Sequence, residues 1–314
     1  MKIYNQINGF DAVNPVVTIG IFDGIHLGHR QIIQRIKEIA LHINGETVMV
    51  TFWPHPRIVL KKNNMPVKLL TALEEKTKII ETLGIDHLIV LPFTPDFANT
   101  TFNEFIHNYL VNGLHSKYIV IGYNHHFGKD RQGGFDQLKE NADRYGFTVE
   151  RLNPVIIEDT VVSSSNIRNL ISNGNPVLAN KLLGYPYFIT GKVTEGKKIG
   201  RKIGFPTANV TVTDENKLIP FTGVYAVRVE LNRTLYNGML NIGIRPTINS
   251  NNHHLTIEVH IFDFNKDIYG HEITLQFLDR IRNEKKFNNI EELVEQLKND
   301  KIKAGLLLDK FSEK

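Results

Sequence analysis

Two histidines three residues apart, His26 and His29, lie in the segment Gly20-Ile21-Phe22-Asp23-Gly24-Ile25-His26-Leu27-Gly28-His29, which follows the apolar run Val16-Val17-Thr18-Ile19. A strand that ends in a glycine-bearing loop lets backbone N–H groups approach an anion closely, and a helix starting behind it turns the positive end of its dipole to the same place. At this spacing both imidazoles can face one bound group. The segment points to a site that handles phosphates; the plainer reading is a surface turn with two incidental histidines. Further on, Ser163-Ser164-Ser165-Asn166-Ile167-Arg168 sets hydroxyls and a guanidinium at another expected helix start, where the serines alone could be N-cap material.

The second half carries a different chemistry. Residues 191 to 209 gather Gly196, Lys197, Lys198, Gly200, Arg201, Lys202 and Gly204 into one basic, glycine-rich loop before the strand-like Pro206-Thr207-Ala208-Asn209. Thr207 and Asn209 share a strand face and offer two neutral oxygens, donors that suit Mg²⁺ held mostly by nucleotide oxygens and water. Alternation places Ile257 and Val259 on one face of a later strand and Thr256, Glu258 and His260 on the other, so Glu258 stands on a polar face. The neighbouring pairs His125-His126 and His253-His254 tempt a metal assignment, but adjacent strand residues point to opposite faces and no H-E-x-x-H motif accompanies them, so zinc is not expected.

Positioning these residues calls for two kinds of architecture. Short apolar runs at 16–21, 47–52, 87–91, 118–122 and 148–152 alternate with helical patterns, which predicts a parallel sheet covered by helices. Two helices are announced by the capping boxes Thr71-Ala72-Leu73-Glu74 and Thr101-Phe102-Asn103-Glu104, and residues 164–183 read as two short helices split by Asn173-Gly174-Asn175-Pro176. From Tyr187 the rhythm changes to strands at 188–193, 223–229, 234–242, 255–261 and 273–281 without helices between them, the pattern of a small antiparallel barrel. A last helix, introduced by Asn289-Ile290-Glu291-Glu292, has a one-sided stripe of Ile290, Leu293, Val294 and Leu297 that predicts it covers the barrel. The expected domains are 1–184 and 185–314.

With 314 residues, 41% apolar and 22% charged, the chain has the composition of a folded globular protein large enough for two cores. The net charge of +4 is spread without a long basic block and suits anionic small substrates as well as nucleic acid; nucleic acid is not expected as a partner. The absence of cysteine excludes disulfides, zinc–thiolate sites and cysteine nucleophiles, and fits a reducing cytoplasm. Met1 to Gln6 lacks an apolar signal core, and no stretch reaches the roughly 18 apolar residues of a membrane span, so a cytoplasmic location without membrane attachment is expected. The oligomeric state stays open.

Taken in order, the segment 20–29, Thr51-Phe52-Trp53-Pro54-His55-Pro56-Arg57, Leu69 to Lys76, Gly122 to Lys129 and Ser163 to Arg168 resemble the adenylyltransferase half of the prokaryotic bifunctional riboflavin kinase/FAD synthetases. Pro206 to Asn209, Gly223-Val224-Tyr225-Ala226, Asn241 to Thr247, Glu258 to Phe264 and Asp267 to Gly270 resemble the kinase half. The resemblance implies a nucleotidylyltransferase-like α/β domain followed by a kinase barrel. It also implies phosphorylation of riboflavin to FMN and adenylylation of FMN to FAD, with ATP consumed and ADP and pyrophosphate released.

On that resemblance Gly20, Phe22, Asp23, Gly24, His26, His29, Ser164 and Arg168 belong to the ATP site of the first half, with His26, His29 and Arg168 taking part in catalysis. Gly196, Lys197, Gly200, Arg201, Thr207 and Asn209 belong to that of the second, where Thr207 and Asn209 hold Mg²⁺. Glu258 is the general base, and Asn124, Arg282 and Glu284 contact flavin, although Arg282 and Glu284 also read as a charge pair at a helix start. His125, His126 and Asn175 depart from the family pattern, which leads to an aromatic, a variable polar or basic and an acidic residue at these positions. Two competing readings follow: one module alone is active, or the chain is a flavin- or nucleotide-binding regulator without turnover.

Overall fold

The alternation of the first half builds six parallel strands in a computed structural model that describes residues 1–60, 67–196, 199–246 and 253–312. These are β1 (Lys2–Tyr4), β2 (Val16–Ile19), β3 (Thr47–Trp53), β4 (His87–Pro92), β5 (Tyr118–Gly122) and β6 (Thr148–Leu152), in the order β1-β4-β3-β2-β5-β6. The sequence reading omits β1, which has only three residues and shows no alternation long enough to recognise.

Near-continuous apolar strands are what a sheet covered on both faces requires. Val17, Ile19, Val48, Val50, Ile89 and Ile119 pack against Phe105, Ile106 and Leu110, which follow the short helix Phe102–Glu104, and against Leu138 of helix Phe135–Tyr145. Val16, Met49, Leu88 and Val120 face the other way, onto Ile32, Ile33 and Ile36 of helix Leu27–Ile43 and Ile80 of helix Leu73–Thr82. The chain leaves β2 towards β3 on one side, and β5 borders it on the other. The carboxyl end of β2 is therefore the topological switch point, where open α/β sheets leave a crevice for ligands.

The box at Thr101 forms as expected: its hydroxyl accepts the Glu104 N–H at 3.2 Å, and the Glu104 carboxylate accepts the Thr101 N–H at 2.8 Å. The other is displaced by one residue. Glu75 accepts the Ala72 N–H at 2.9 Å, and the Thr71 hydroxyl instead accepts the Gly24 N–H at 3.1 Å. A competing tertiary partner therefore takes the hydroxyl away from the helix.

The second half closes β9 (Phe188–Thr194), β10 (Ala208–Thr211), β11 (Gly223–Leu231), β12 (Thr234–Pro246), β13 (His253–Ile261) and β14 (Glu272–Arg282) into an antiparallel barrel of order β10-β13-β12-β11-β14-β9; a two-stranded hairpin, β7 (Ile156–Ile157) with β8 (Thr160–Val161), precedes it in the chain. Tyr225, Leu240 and Val259 are cross-strand partners that face inward, as are Val227 and Phe277. On the outer face Val224, Ala226, Met239 and Leu278 receive Ala304 and Leu308 of the last helix, Ile290–Ser312. Val294 and Leu297 pack there as the stripe predicts, whereas Ile290 at the helix start is exposed.

The chain forms two compact units, Met1–Ser164 and Ser165–Lys314. Helix Pro176–Leu183 therefore packs with the barrel: Asn180 donates its amide to the Phe277 carbonyl at 2.8 Å and accepts the Tyr187 N–H at 2.7 Å. The last helix is tied down by Arg282, whose guanidinium meets the buried Asp300 carboxylate in a two-pronged contact at 3.0 and 2.7 Å. Removing one partner of such a pair leaves the other charge uncompensated. Asp300→Ala is thus expected to destabilise the barrel by about 3 kcal/mol, read as a lower urea midpoint of the transition that exposes it.

Candidate active sites

The first site is a loop held in an unfavourable shape. Between β2 and helix Leu27–Ile43, Phe22, Gly24 and Ile25 adopt positive φ of 50°, 86° and 35°. For a bulky and a β-branched residue this is costly backbone, of the kind that persists only where the surroundings hold it. Several contacts do so. The Asp23 carboxylate, 3% exposed, accepts the amides of Leu70 at 2.9 Å and Thr71 at 3.0 Å. The Ile21 carbonyl accepts the Thr51 hydroxyl at 3.1 Å, and the Asp23 carbonyl accepts the Ser164 hydroxyl at 2.8 Å. Arg30 donates to the Ile25 carbonyl at 3.3 Å. Asp23, expected among the ATP-binding residues, therefore turns its side chain inward to shape the loop.

His26 caps the helix, its Nδ1 accepting the His29 N–H at 3.3 Å, and the two rings stack with centroids 3.5 Å apart and planes 17° from parallel. The expected convergence of the imidazoles is present. Phe22 meets the His29 ring edge-on at 5.1 Å. The Nδ1 of His29 is buried without a hydrogen-bond partner, an acceptor or donor kept in reserve. Burial, followed by the neighbouring His26 and Lys76 charges, holds the His29 ring well below the usual histidine range.

His55 is buried at the carboxyl end of β3, where its Nδ1 accepts the Arg57 N–H at 3.1 Å. Asn124 is exposed just beyond the carboxyl end of β5, so it shares the sheet edge from which the Gly20 loop departs. Beside it, burial and the charges of His126 and Arg131 press His125 down to about 4. Arg168 is half-buried, four residues after Ser164 on helix Ser164–Ser172.

In the barrel, register brings the polar residues together. Asn209 on β10 pairs with Glu258 on β13, and Glu258 pairs with Asn241 on β12. Directly opposed residues share a face with Cβ atoms about 5 Å apart. Asn209, Glu258 and Asn241 therefore form a row across three strands, on the same outer face as Met239 and His260. His260, buried between Phe205 and Phe262, faces the Pro206 carbonyl through Nδ1 at 2.8 Å and is lowered by burial.

Gly196 lies so close to Asn209 that a Cβ there would overlap its amide, and a Cβ on Gly243 would collide with Glu284 Oε1 and lie 3.0 Å from Asn241 Nδ2. Glu284 thus joins the row at Asn241, while Arg282 is engaged by Asp300. A Cβ on Gly200 would strike the Phe205 carbonyl, which explains the glycine in the turn Ile199–Lys202. Arg201, Pro206, Thr207, Phe264, Asp267 and Tyr269 line an open cavity of about 500 Å³. Lys197, Lys198 and Thr247 lie outside the described residues.

Asn241 and Lys76 stand in motifs of the sequence but receive no role there. Asn241 needs the barrel register to be found. Lys76 interrupts the apolar spacing Leu73, Lys76, Ile80 on its helix, a signal open to reading.

The FAD synthetase family model matches residues 11–166 and the riboflavin kinase model residues 183–308. The bifunctional riboflavin kinase/FMN adenylyltransferase of Bacillus subtilis (strain 168) is 43% identical over 297 residues, covering 94% of this chain and 92% of its own length. The protein of the same description from Escherichia coli (strain K12) is 36% identical over 290 residues, covering 92% and 91%. A solved structure described as a macrolide-efflux protein from Streptococcus pneumoniae superimposes with a TM-score of 0.85 at 33% identity, covering 96% of this chain and 97% of that one. Among the described residues of this chain no helix is long and apolar enough to cross a membrane.

Two outcomes follow from the geometry. A histidine depressed in the folded chain binds fewer protons than it does unfolded, so stability rises with pH through about 6.5 and falls as pH drops below it. In ¹⁵N-histidine spectra of the ligand-free protein, His29 is expected to remain neutral at about pH 6; an imidazolium pattern there would contradict the burial argument. Gly243→Ala should displace the flexible Glu284 carboxylate without unfolding the barrel. The expected result is an unchanged urea midpoint of the barrel with an altered Asn241 side-chain amide signal in ¹⁵N spectra.

Proposed function

The chain belongs to the family of bifunctional riboflavin kinase/FMN adenylyltransferases, and from that premise we propose how its own residues divide the two reactions. It phosphorylates riboflavin to FMN and adenylylates FMN to FAD. The observation that carries the division is the segregation of two polar clusters. The His26–His29 loop lies within the span matched by one family model, and the Asn209–Glu258–Asn241 row within the span matched by the other. A functional boundary between 184 and 185 agrees with the start of the kinase match at 183.

In the kinase reaction Glu258 accepts the proton of the ribityl 5′-hydroxyl as that oxygen attacks the γ-phosphorus of ATP, and ADP leaves. Asn209 and Asn241 flank the carboxylate and fix its direction. Glu284 contacts the flavin. Arg282 takes part in flavin binding by positioning the chain ahead of Glu284 through its Asp300 pair. Arg201, Gly196 and Gly200 surround the phosphates. Mg²⁺ accompanies ATP, and Thr207 and Asn209 supply neutral oxygens for it, a fitting donor set for a cation held mostly by phosphate and water. Among the described residues no three His, Cys, Asp or Glu side chains gather to hold a metal by themselves.

In the adenylyl transfer the FMN phosphate attacks the α-phosphorus of ATP and pyrophosphate leaves. No covalent enzyme intermediate is needed, so positioning and charge stabilisation dominate. Gly20, Phe22 and Gly24 bring the loop backbone to the triphosphate, His26 and His29 face it, Ser164 and Arg168 hold its β and γ groups, and Asn124 contacts the flavin nucleotide. Reaction in the cytoplasm suits the cysteine-free chain. The reading of a regulator without turnover is not favoured by the two family matches.

Separable losses test the division. His29→Ala is expected to lower FAD formation from FMN by about 100-fold or more while riboflavin phosphorylation continues. Glu258→Gln is expected to lower riboflavin phosphorylation by about 1000-fold while FMN is still converted to FAD. Chromatography of flavins from full-length variants with Mg-ATP reads both, and loss of both activities in either folded variant would show that the residues do not serve separate reactions.

A further inference from the structure

We propose that Lys76 is a positioning residue for adenylyl transfer: its ammonium group grips the Ile21 carbonyl and thereby holds the loop from Gly20 to His26 in the shape that presents His29 to the nucleotide. The inference rests on the reading above that this loop receives ATP. Lys76 is 2% exposed, in the stripe of its helix that also carries Ile80 and faces the sheet. A leucine or methionine would fill such a position without desolvating a charge, so a buried ammonium there requires partners. It has them on three sides. Its Nζ donates to the Ile21 carbonyl at 2.7 Å, lies 5.7 Å from the Trp53 ring centroid, and is favoured by the Asp23 carboxylate.

The Ile21 carbonyl is where the loop must be gripped. The next residue is Phe22, with φ of 50°, and the Phe22 ring packs edge-on against His29 at 5.1 Å. A peptide plane that rotates at Ile21 releases the Phe22 turn, and with it the ring that sets the His29 imidazole. Thr51 shares the same carbonyl from β3 at 3.1 Å, so a strand and a helix on one side of the sheet edge close on one oxygen. The inward Asp23 carboxylate and the Thr71 hydroxyl secure the middle of the loop. Lys76 supplies the charged grip at its start.

The same ammonium acts through space. The titratable groups coupled to it are Asp23 and His29; the Lys76 charge pushes His29 down, and burial brings Lys76 itself down to about 8. Loss of the charge therefore moves the His29 titration to higher pH, an effect that a purely structural filler would not produce.

The test uses full-length Lys76→Met and Thr51→Val, with FMN and Mg-ATP as substrates. Riboflavin phosphorylation in the same samples is the internal control, and fluorescence of Trp53, the chain's only tryptophan, reports the local fold. Lys76→Met is expected to lower kcat for FAD formation by about 100-fold, to change the FMN KM by less than about twofold, and to shift the alkaline limb of the pH–rate profile to higher pH. Thr51→Val, which removes a donor without changing charge, is expected to lower kcat by about tenfold with that limb unmoved.

Wild-type FAD formation in a folded Lys76→Met, or a loss there with an unshifted alkaline limb, overturns the proposal. Should the Trp53 signal of Lys76→Met be that of unfolded chain, Thr51→Val decides, and undiminished FAD formation in it overturns the proposal. If His29→Ala also forms FAD at the wild-type rate, the reading of the loop fails, an outcome distinct from failure of the Lys76 proposal alone.

Discussion

The buried carboxylate of Asp23 is the contact on which the first site depends. An ionised carboxylate out of water must be met by several donors, and the amides of Leu70 and Thr71 meet it from 47 and 48 residues further along the chain. Hydrogen bonds to a charged group contribute about 1.5–3 kcal/mol each, while strained residues such as Phe22 and Ile25 cost about 1–3 kcal/mol each. The bonds are thus of the size needed to hold the loop in its left-handed turn. Local preference opposes that turn, so the loop owes its shape to the segment that leads into helix Leu73–Thr82.

The barrel reaches a comparable result without strained backbone. Its polar row comes from strand register, since Asn209, Glu258 and Asn241 belong to three strands and meet because the ladder aligns them. A slip of one residue on β13 would carry Glu258 to the face of Val259 and empty the row. Apolar inward residues such as Val259 and Leu240 prevent that slip, so the core of the barrel and the placement of Glu258 have one cause. The glycines Gly196 and Gly243 then make room for the side chains of Asn209 and Glu284.

Much of this was legible in the residues because it is local or periodic. The strands from Val16 to Leu152, the Thr101 box, the N-cap at Asn289 and the polar face of Glu258 follow from spacing alone, and the structure has them. The i, i+3 pairing of His26 and His29 is likewise a helical property. The remainder depends on tertiary partners. Thr71 reads as a helix cap but bonds Gly24, the Asp23 carboxylate finds its amide donors far along the chain, and Asn241 acquires neighbours only through pairing. The three residues of β1 add a strand because β4 offers an edge, which periodicity cannot report.

A neutral His29 is compatible with a polyanion site. In the empty loop, charging the ring would require desolvation beside His26 and the Lys76 ammonium, so the neutral form prevails. A triphosphate placed against the same ring reverses the sign of the local potential, and opposite charge a few ångströms away in a water-poor site favours protonation by more than it could in water. Binding and proton uptake are then linked, with affinity falling as pH rises above the range in which the loaded ring stays charged. Burial that depresses the free imidazole also excludes the water that would screen it from phosphate, so one physical cause keeps the site neutral when empty and makes it strongly attractive to the anion once occupied.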